Sequence, residues 1–295
     1  MNKKLIAAAV LAALTVSTAS VMAAPVNFSG DTNIEYNKVT GSDDDLTSRL
    51  RLKIDTDLGD GFYAHARARM DHDLKNGQVG KEGVEFDRAL IGYQNDNFDV
   101  KVGKQSLWMG KGMLMDNELS VINATTTIDG VKLAGFYGNN NDAHQTGFEI
   151  GTAIGNVNVG AAYLKGVENM GAVAYENEKY LAVNADTKIA DNAVFNVEYV
   201  KADIAKADGY LASVKFGDAV KKGDLDYSLM YYNVEDGATP VTTNNGNYDG
   251  AKGFKVKANY KVTDNAVLTA YHDMGETKIG KEDHKRTNVE FAVNF

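Results

Sequence analysis

The sequence has 295 residues, with no cysteine, two prolines, 29 glycines, 15 tyrosines and a formal net charge of −9. The acidic balance argues against nucleic-acid binding, and the lack of cysteine excludes disulfides and thiolate metal ligands. Beyond the first 24 residues, no stretch approaches the ~20 apolar residues that a membrane-spanning helix needs. Many glycines and aromatic residues beside few prolines favour a β protein.

The N-terminus has the pattern of a secretory signal peptide. Lys3 and Lys4 precede the apolar run LIAAAVLAALTV, and the small residues of STASVMAA follow it. Because Val21-Met22-Ala23 fits the small-x-small rule, we expect a signal peptide at 1–23 and a mature domain at 24–295. Removal of the two lysines lowers the charge by a further two. The alternative is an uncleaved membrane anchor, for which the apolar run is short.

Turn residues divide the remaining chain into hairpins. Gly, Asn and Asp tolerate the positive φ of tight turns, and short turns alternate with longer polar stretches. This count predicts about sixteen strands, with the short connections at one end, as in outer-membrane barrels. Fourteen strands remain open, because residues 118–128 have the weakest strand pattern. The short turns are 59–61, 95–97, 129–130, 155–156, 191–192, 222–224 and 263–265, and the long stretches are 40–45, 75–83, 105–123, 138–145, 168–178, 202–208, 236–250 and 278–284.

The strands alternate strictly between apolar and polar residues, most clearly at 26–36, 49–55, 62–71 and 254–261. A period of two gives each strand one apolar and one polar face. A soluble β-sandwich would alternate in the same way. Dense charge on the polar face and aromatic residues at strand ends favour a membrane barrel, which must close in lipid. These aromatic residues are Phe62, Tyr93, Phe98, Phe216, Tyr260 and Phe295.

The alternation stops at residues 105–123, QSLWMGKGMLMDNELSVIN. A long irregular segment within a regular β pattern is usually functional or disordered. Trp108, Met109 and Met113 argue against a polar tether. We expect this segment to fold inward and to pack these apolar residues against the inner wall, which leaves Asp116 and Glu118 to face the solute.

The last strand carries one apolar face, formed by Val289, Phe291, Val293 and Phe295. An amphipathic final strand ending in Phe resembles the assembly signal of bacterial outer-membrane β-barrels. This resemblance implies recognition by the barrel insertion machinery.

Three motifs resemble the general bacterial, Gram-negative outer-membrane porins: PVNFSG (25–30), FDRALIGYQNDNFDVKVGKQ (86–105) and VEFAVNF (289–295). The resemblance implies a transmembrane antiparallel β-barrel of about sixteen strands with an inward-folded third extracellular loop. It further implies a homotrimer in outer-membrane lipid, with a water-filled channel for passive diffusion of small hydrophilic solutes and ions. No cofactor, metal or catalytic residue is expected.

In porins, basic residues on the wall face carboxylates on the third loop, and the resemblance assigns the carboxylates to Asp116 and Glu118. Opposed charges place a transverse field across the channel, which filters ions. The sequence departs from enterobacterial porins, because WMGKGMLMDNE replaces their acidic loop motif. The arginine-rich strands could alternatively form an ordinary solvated wall. By position, the wall candidates are Arg49, Arg51, Arg67, Arg69, Arg88 and Lys101.

Parts of the sequence are also compatible with three functions other than a diffusion channel. A substrate-selective channel for a sugar or an organic anion would need a binding row, for which Tyr63 and Tyr232 are candidates. An outer-membrane enzyme could use His72, between two aspartates, or His272 before Asp273. However, adjacent strand residues point to opposite faces. An adhesive barrel of eight strands would fill its own interior, whereas about sixteen strands enclose water. Ion preference is open, since net charge favours cations and the wall arginines favour anions.

Overall fold

The structure, a computed structural model, describes residues 25–140, 143–169, 175–240 and 248–295. The predicted signal peptide therefore lies outside the described residues. The described chain forms sixteen strands. They are β1 (Val26–Val39), β2 (Asp45–Gly59), β3 (Phe62–Asp73), β4 (Gln78–Gln94), β5 (Phe98–Met109), β6 (Met115–Ile128), β7 (Val131–Asn140), β8 (Ala143–Ile154), β9 (Val157–Asn169), β10 (Tyr175–Ala190), β11 (Ala193–Ala202), β12 (Asp208–Phe216), β13 (Leu225–Val234), β14 (Ala251–Thr263), β15 (Ala266–Thr277) and β16 (Asp283–Asn294).

The strands form one closed antiparallel barrel. Each strand pairs with the next in sequence, and β16 returns to pair with β1, where Asp31 lies opposite Asn294. This confirms the predicted barrel of sixteen strands and excludes fourteen, since residues 118–128 belong to β6. No helix in the described part of the chain has the length and hydropathy of a membrane-spanning helix.

Side chains alternate between the outer surface and the lumen, as the period of two predicts. On β1, Ile34 is 51% exposed on the outside, whereas its neighbour Asn33 is 7% exposed and faces inward. On β2, Leu50 is exposed on the outside, while Arg49 and Arg51 are half-buried in the lumen. An apolar outer wall around a polar interior is the arrangement that lipid requires.

The aromatic residues predicted at the strand ends lie near the short turns, and four of them make ring contacts. The rings of Phe62 and Tyr93 are 4.9 Å apart, and those of Tyr93 and Phe98 are 5.7 Å apart. Phe216 stacks on Tyr227 at 5.1 Å. This end of the barrel therefore carries the aromatic belt expected at a membrane interface.

The connections differ from the prediction in length. Residues 138–145 lie mostly in β7 and β8, and β4 already begins at residue 78, so these loops are shorter than expected. Conversely, the turn expected at 222–224 extends over 217–224. Beyond the lipid-facing part of the barrel, the strands need no apolar outer face, but their backbones remain hydrogen-bonded. The paired strands are therefore longer than the alternating sequence patterns that predicted them.

The lumen has an apolar half and a polar half. From β7 to β13 the inner wall carries buried apolar side chains, which form one cluster with the β5–β6 hairpin. From β15 through β1 to β4 the inner wall is mainly polar and charged. Any aqueous path therefore follows the polar half. The apolar wall residues of the cluster are Phe136, Ala162, Leu164, Tyr180, Ala182, Val200, Ala202, Leu211, Tyr232 and Val234.

Candidate pore constriction

The segment that was expected to be irregular is a β-hairpin. Strands β5 and β6 remain paired from Gln105 opposite Leu119 to Met109 opposite Met115, with a turn at 110–114. The prediction of an irregular loop was therefore wrong. The alternation is obscured because one face of this hairpin packs on protein and the other faces the lumen, so neither face has the composition of a lipid-facing strand.

The hairpin bends into the lumen, and its tip is attached to the wall formed by β8–β11. The Gly110 amide donates to Glu149 Oε1 on β8 at 3.2 Å, and the Met113 amide donates to Glu198 Oε2 on β11 at 3.0 Å. Lys111 forms an ion pair with Asp186 on β10. Three wall strands thus hold the tip, which confirms the predicted inward fold.

The underside of the hairpin is apolar. Met109, Met113 and Leu114 are buried and belong to the same cluster as Leu164 and Val200 of the wall. Packing against the inner wall is therefore confirmed for the two methionines, and burial of this size stabilises by about 1.5–3 kcal/mol per fully buried side chain.

Trp108 was expected to pack in the same way, and this was wrong. Its side chain is 51% exposed on the opposite face of the hairpin. It covers Gly112, where an added Cβ would lie 2.8 Å from the ring, and its Nε1–H donates to the Gly110 carbonyl at 3.0 Å. Trp108 therefore braces the turn from the lumen side.

The lumen face of the hairpin carries the two carboxylates that the sequence singled out. Glu118 Oε1 lies 3.1 Å from an Arg67 nitrogen and 3.3 Å from an Arg88 nitrogen. Asp116 lies two residues earlier on the same face, opposite Trp108. The structure thus brings Glu118 against two of the predicted wall arginines.

Asp87, which the sequence analysis missed, holds one of these arginines. Arg67 Nε and an Arg67 terminal nitrogen donate to the two Asp87 oxygens at 2.8 and 2.6 Å. Both side chains are buried. A bulge in β4 opposite Arg67 and Ala68 places Asp87 and Arg88 consecutively on the lumen side. The bulge breaks the alternation, so a period of two would have assigned Asp87 to the lipid face.

The remaining wall arginines are also paired with wall carboxylates. The Asp71 carboxylate forms ion pairs with an Arg49 nitrogen at 2.7 Å and with an Arg69 nitrogen at 2.6 Å. Asp31 receives Arg51 at 2.6 Å, and Lys53 lies 3.2 Å from it. The basic wall is therefore a row of cations with acids between them, and it is more nearly neutral than the expected row of uncompensated arginines.

Lys101 is placed apart from this group. It pairs with Asp99, two residues earlier on β5, at 2.8 Å, and Asp99 also accepts the Tyr63 hydroxyl at 2.8 Å. These contacts lie toward the short-turn end of β5. The structure therefore does not place Lys101 with the hairpin carboxylates.

The histidine and aspartate residues that an outer-membrane enzyme could have used do not come together as a catalytic group. Asp71 is occupied by two arginines, and Asp73 accepts hydrogen bonds from the backbone of residues 75 and 76. His272 contacts Thr287 on the outer surface, whereas Asp273 is buried near Lys255, 3.5 Å away. Within the described ranges, no group of three or more His, Asp or Glu side chains could hold a metal ion.

A closed sixteen-strand barrel with an apolar outer wall, a charged lumen and an inward hairpin defines a transmembrane channel of the outer-membrane type. The family model for Gram-negative porins matches residues 7–295. The chain belongs to this family and forms an outer-membrane porin channel.

Solved structures with this fold include several variants of the Rhodopseudomonas blastica porin. A triple mutant of that porin is 15% identical, with a TM-score of 0.65 over 92% of this chain and 100% of the other. A second variant is 16% identical at the same TM-score and coverage. At this identity the likeness shows the fold alone. In a comparison with curated proteins, no match was found.

Proposed function

We propose that the β5–β6 hairpin and the wall of β2–β4 form the narrowest part of a channel for passive diffusion of small hydrophilic solutes and ions. The observation that carries this proposal is Glu118, which lies on an anchored hairpin and within 3.3 Å of both Arg67 and Arg88. Because these charges are in direct contact, they lie together beside the remaining aqueous path, where their field acts on every solute that passes.

The path lies along the polar half of the lumen. The hairpin and the apolar wall of β7–β13 exclude water from the other half, where Met113, Leu114 and Leu164 are buried. On the open side, Arg51, Arg69 and other half-buried charges line β1–β4. Hydrated ions and small polar solutes are the cargo that such a surface admits.

Single-channel conductance in planar bilayers tests this function. We expect stable ohmic steps that do not saturate with salt concentration. Removal of residues 108–116 shortens the hairpin and should raise conductance, because it opens the narrowing. The matched control is removal of residues 279–281 from the connection between β15 and β16, which should leave conductance unchanged. Equal conductance of the shortened and full-length hairpins would contradict the proposal.

A substrate-selective channel for a sugar or an organic anion receives little support from the tyrosines that suggested it. Tyr232 is fully buried, and its hydroxyl lies over Gly275. Tyr63 is bound to Asp99 near the short turns. A solute flux that saturates with concentration, and that a second solute inhibits, would favour the substrate-selective channel.

We also propose that the chain is non-catalytic and that it is exported with a signal peptide that is cleaved after Ala23. The barrel insertion machinery recognises the apolar face of the last strand, which consists of Val289, Phe291, Val293 and Phe295. The chain then assembles as a homotrimer in outer-membrane lipid. Family membership and the apolar outer wall support these proposals. N-terminal sequencing of the exported protein tests the cleavage site. Native mass spectrometry of the detergent-extracted protein tests the trimer.

A further inference from the structure

A groove crosses the outer surface of the barrel from β5 to β10. Its volume is about 580 Å³, and its lining is almost entirely apolar. Ala124 and Ala161 form parts of the floor, the Phe148 ring lies over Gly135 between them, and Phe98 projects at one end. Because neighbouring strands lie ~4.8 Å apart, the groove is about 24 Å long. It has the length and lining of a site for one extended hydrocarbon chain.

Exposed lysines lie at one corner of this groove, toward the connection between β9 and β10. Tyr163 and Leu181, which line the groove, are directly opposite each other on β9 and β10. Two residues further along the outer face, Lys165 is opposite Lys179. Lys201 on β11 is opposite Leu181. All three lysines are exposed.

Repulsion between the opposed Lys165 and Lys179 side chains destabilises the barrel when no ligand is bound. Like charges directly opposite each other on neighbouring strands destabilise a sheet. Lys201, one strand further and opposite Leu181, adds a third positive charge diagonal to Lys179. An anion held between these side chains would remove the repulsion and would gain charge-assisted hydrogen bonds.

Acidic residues nearby compensate these lysines only in part. Asp203 lies 3.8 Å from Lys179 and is shared with Lys206 at 3.2 Å. Asp208 is opposite Lys201. Glu235 accepts from the Asp208 backbone amide at 3.0 Å and lies 3.7 Å from Lys278. Among the described side chains, five lysines therefore face three carboxylates, so this part of the surface carries a positive excess on a chain whose net charge is −9. This excess complements an anionic group.

We propose that the groove and the lysine cluster (Lys165, Lys179 and Lys201) bind one phosphorylated, acylated lipid of the surrounding membrane. An acyl chain lies over Ala124, the Phe148 ring and Ala161, and the phosphate contacts the lysines beside Tyr163 and Leu181. The apolar site and the cationic site are adjacent on one lipid-facing surface, as the two ends of such a molecule require. This lipid site lies on the outer surface and is independent of solute passage through the lumen.

Native mass spectrometry of the detergent-solubilised protein tests it, with dimyristoyl phosphatidylglycerol and dimyristoyl phosphatidylcholine as probes. The wild type should bind phosphatidylglycerol more tightly. The double variant K165Q/K179Q should lose about thirty-fold in this preference, from the usual contribution of a lysine at an anionic surface. Ala161→Leu fills the groove and should weaken binding of both lipids. Glycerol 3-phosphate, which has no acyl chain, should not compete.

The matched control is K38Q/K285Q, which removes two exposed outward lysines on β1 and β16 and should bind as the wild type does. Thermal unfolding gives a second readout. Without lipid, K165Q/K179Q should be at least as stable as the wild type, because the repulsion is removed, and phosphatidylglycerol should stabilise only the wild type. Equal binding of the two lipids, or an unchanged preference in K165Q/K179Q, would overturn the proposal. Dissociation of an oligomer by Ala161→Leu would instead assign the groove to a second copy of the chain and would also overturn it.

Discussion

The ring of Phe295 lies over Gly30 at the seam where the barrel closes. An added Cβ on Gly30 would lie 2.5 Å from Phe295 Cζ and 2.6 Å from the Arg51 carbonyl oxygen. The two residues also exchange backbone hydrogen bonds, at 2.8 and 3.0 Å. Gly30 therefore provides the space in which Phe295 seals β16 against β1.

Replacement of Gly30 by alanine should weaken this seam. Both close neighbours would have to move, and overpacking of this kind costs about 1–3 kcal/mol. The temperature at which the folded band converts to the unfolded band on a gel should fall, and the refolding yield should drop. Gly151→Ala is the control, since its Cβ would meet its nearest atom at 3.5 Å. Identical behaviour of the two variants would show that the seam has no such requirement.

Glu118→Gln should shift ion selectivity toward anions. It removes the carboxylate that Arg88 pairs with, while Arg67 keeps Asp87 as its counter-charge, so the lumen beside the hairpin becomes more positive by one charge. The reversal potential under a salt gradient measures the shift, which should shrink at high salt because of screening. Asp129→Asn, at a short turn between β6 and β7, is the control and should leave the reversal potential unchanged.

Neutralisation of Arg49, Arg51 and Arg67 by glutamine should shift selectivity toward cations. The wall loses three cations, so Asp87 is left without its arginine, while Asp31 keeps Lys53 and Asp71 keeps Arg69. The same reversal-potential measurement applies, with the opposite sign to that of Glu118→Gln. A wall that serves only solvation would give no shift.

Glu198→Ala should loosen the hairpin. The Met113 amide would lose its acceptor in a buried place, and an unsatisfied buried donor costs about 1–3 kcal/mol. We expect larger fluctuations of the open-channel current, with the barrel itself intact. Glu198→Gln is the matched control, because its amide oxygen can still accept this hydrogen bond. Equally quiet currents in both variants would mean that the contacts on β8 and β10 suffice.

The barrel could be predicted from the sequence because lipid on one side and water on the other impose a period of two on every strand. The inward hairpin was also predictable, from the loss of that period where Met109, Met113 and their neighbours are buried. Its regular pairing was not, since packing against an inner wall leaves no simple pattern.

The charge arrangement was predicted only in part. Arg67, Arg88 and Glu118 are candidates that the structure brings into contact, whereas the partners of Arg49 and Arg51 depend on strand register, which the composition of a single strand does not encode. Asp87 was missed because a bulge turns it inward against the alternation. The residues that the sequence did not reveal are thus those whose orientation or partner depends on a bulge or on strand register.

The pairing order has a consequence for how the chain reaches its final form. Every strand pair except β1 with β16 joins sequence neighbours, so each can form as a local hairpin with a small loop-closure cost. The last pair must bring together residues from opposite ends of the domain, and it removes the two unpaired edges that an open sheet would expose to lipid. Closure is thus the single non-local strand pairing, whereas attachment of the β5–β6 hairpin tip to β8, β10 and β11 is non-local contact made by side chains. Damage at the seam should slow folding, whereas damage elsewhere in the wall should mainly hasten unfolding.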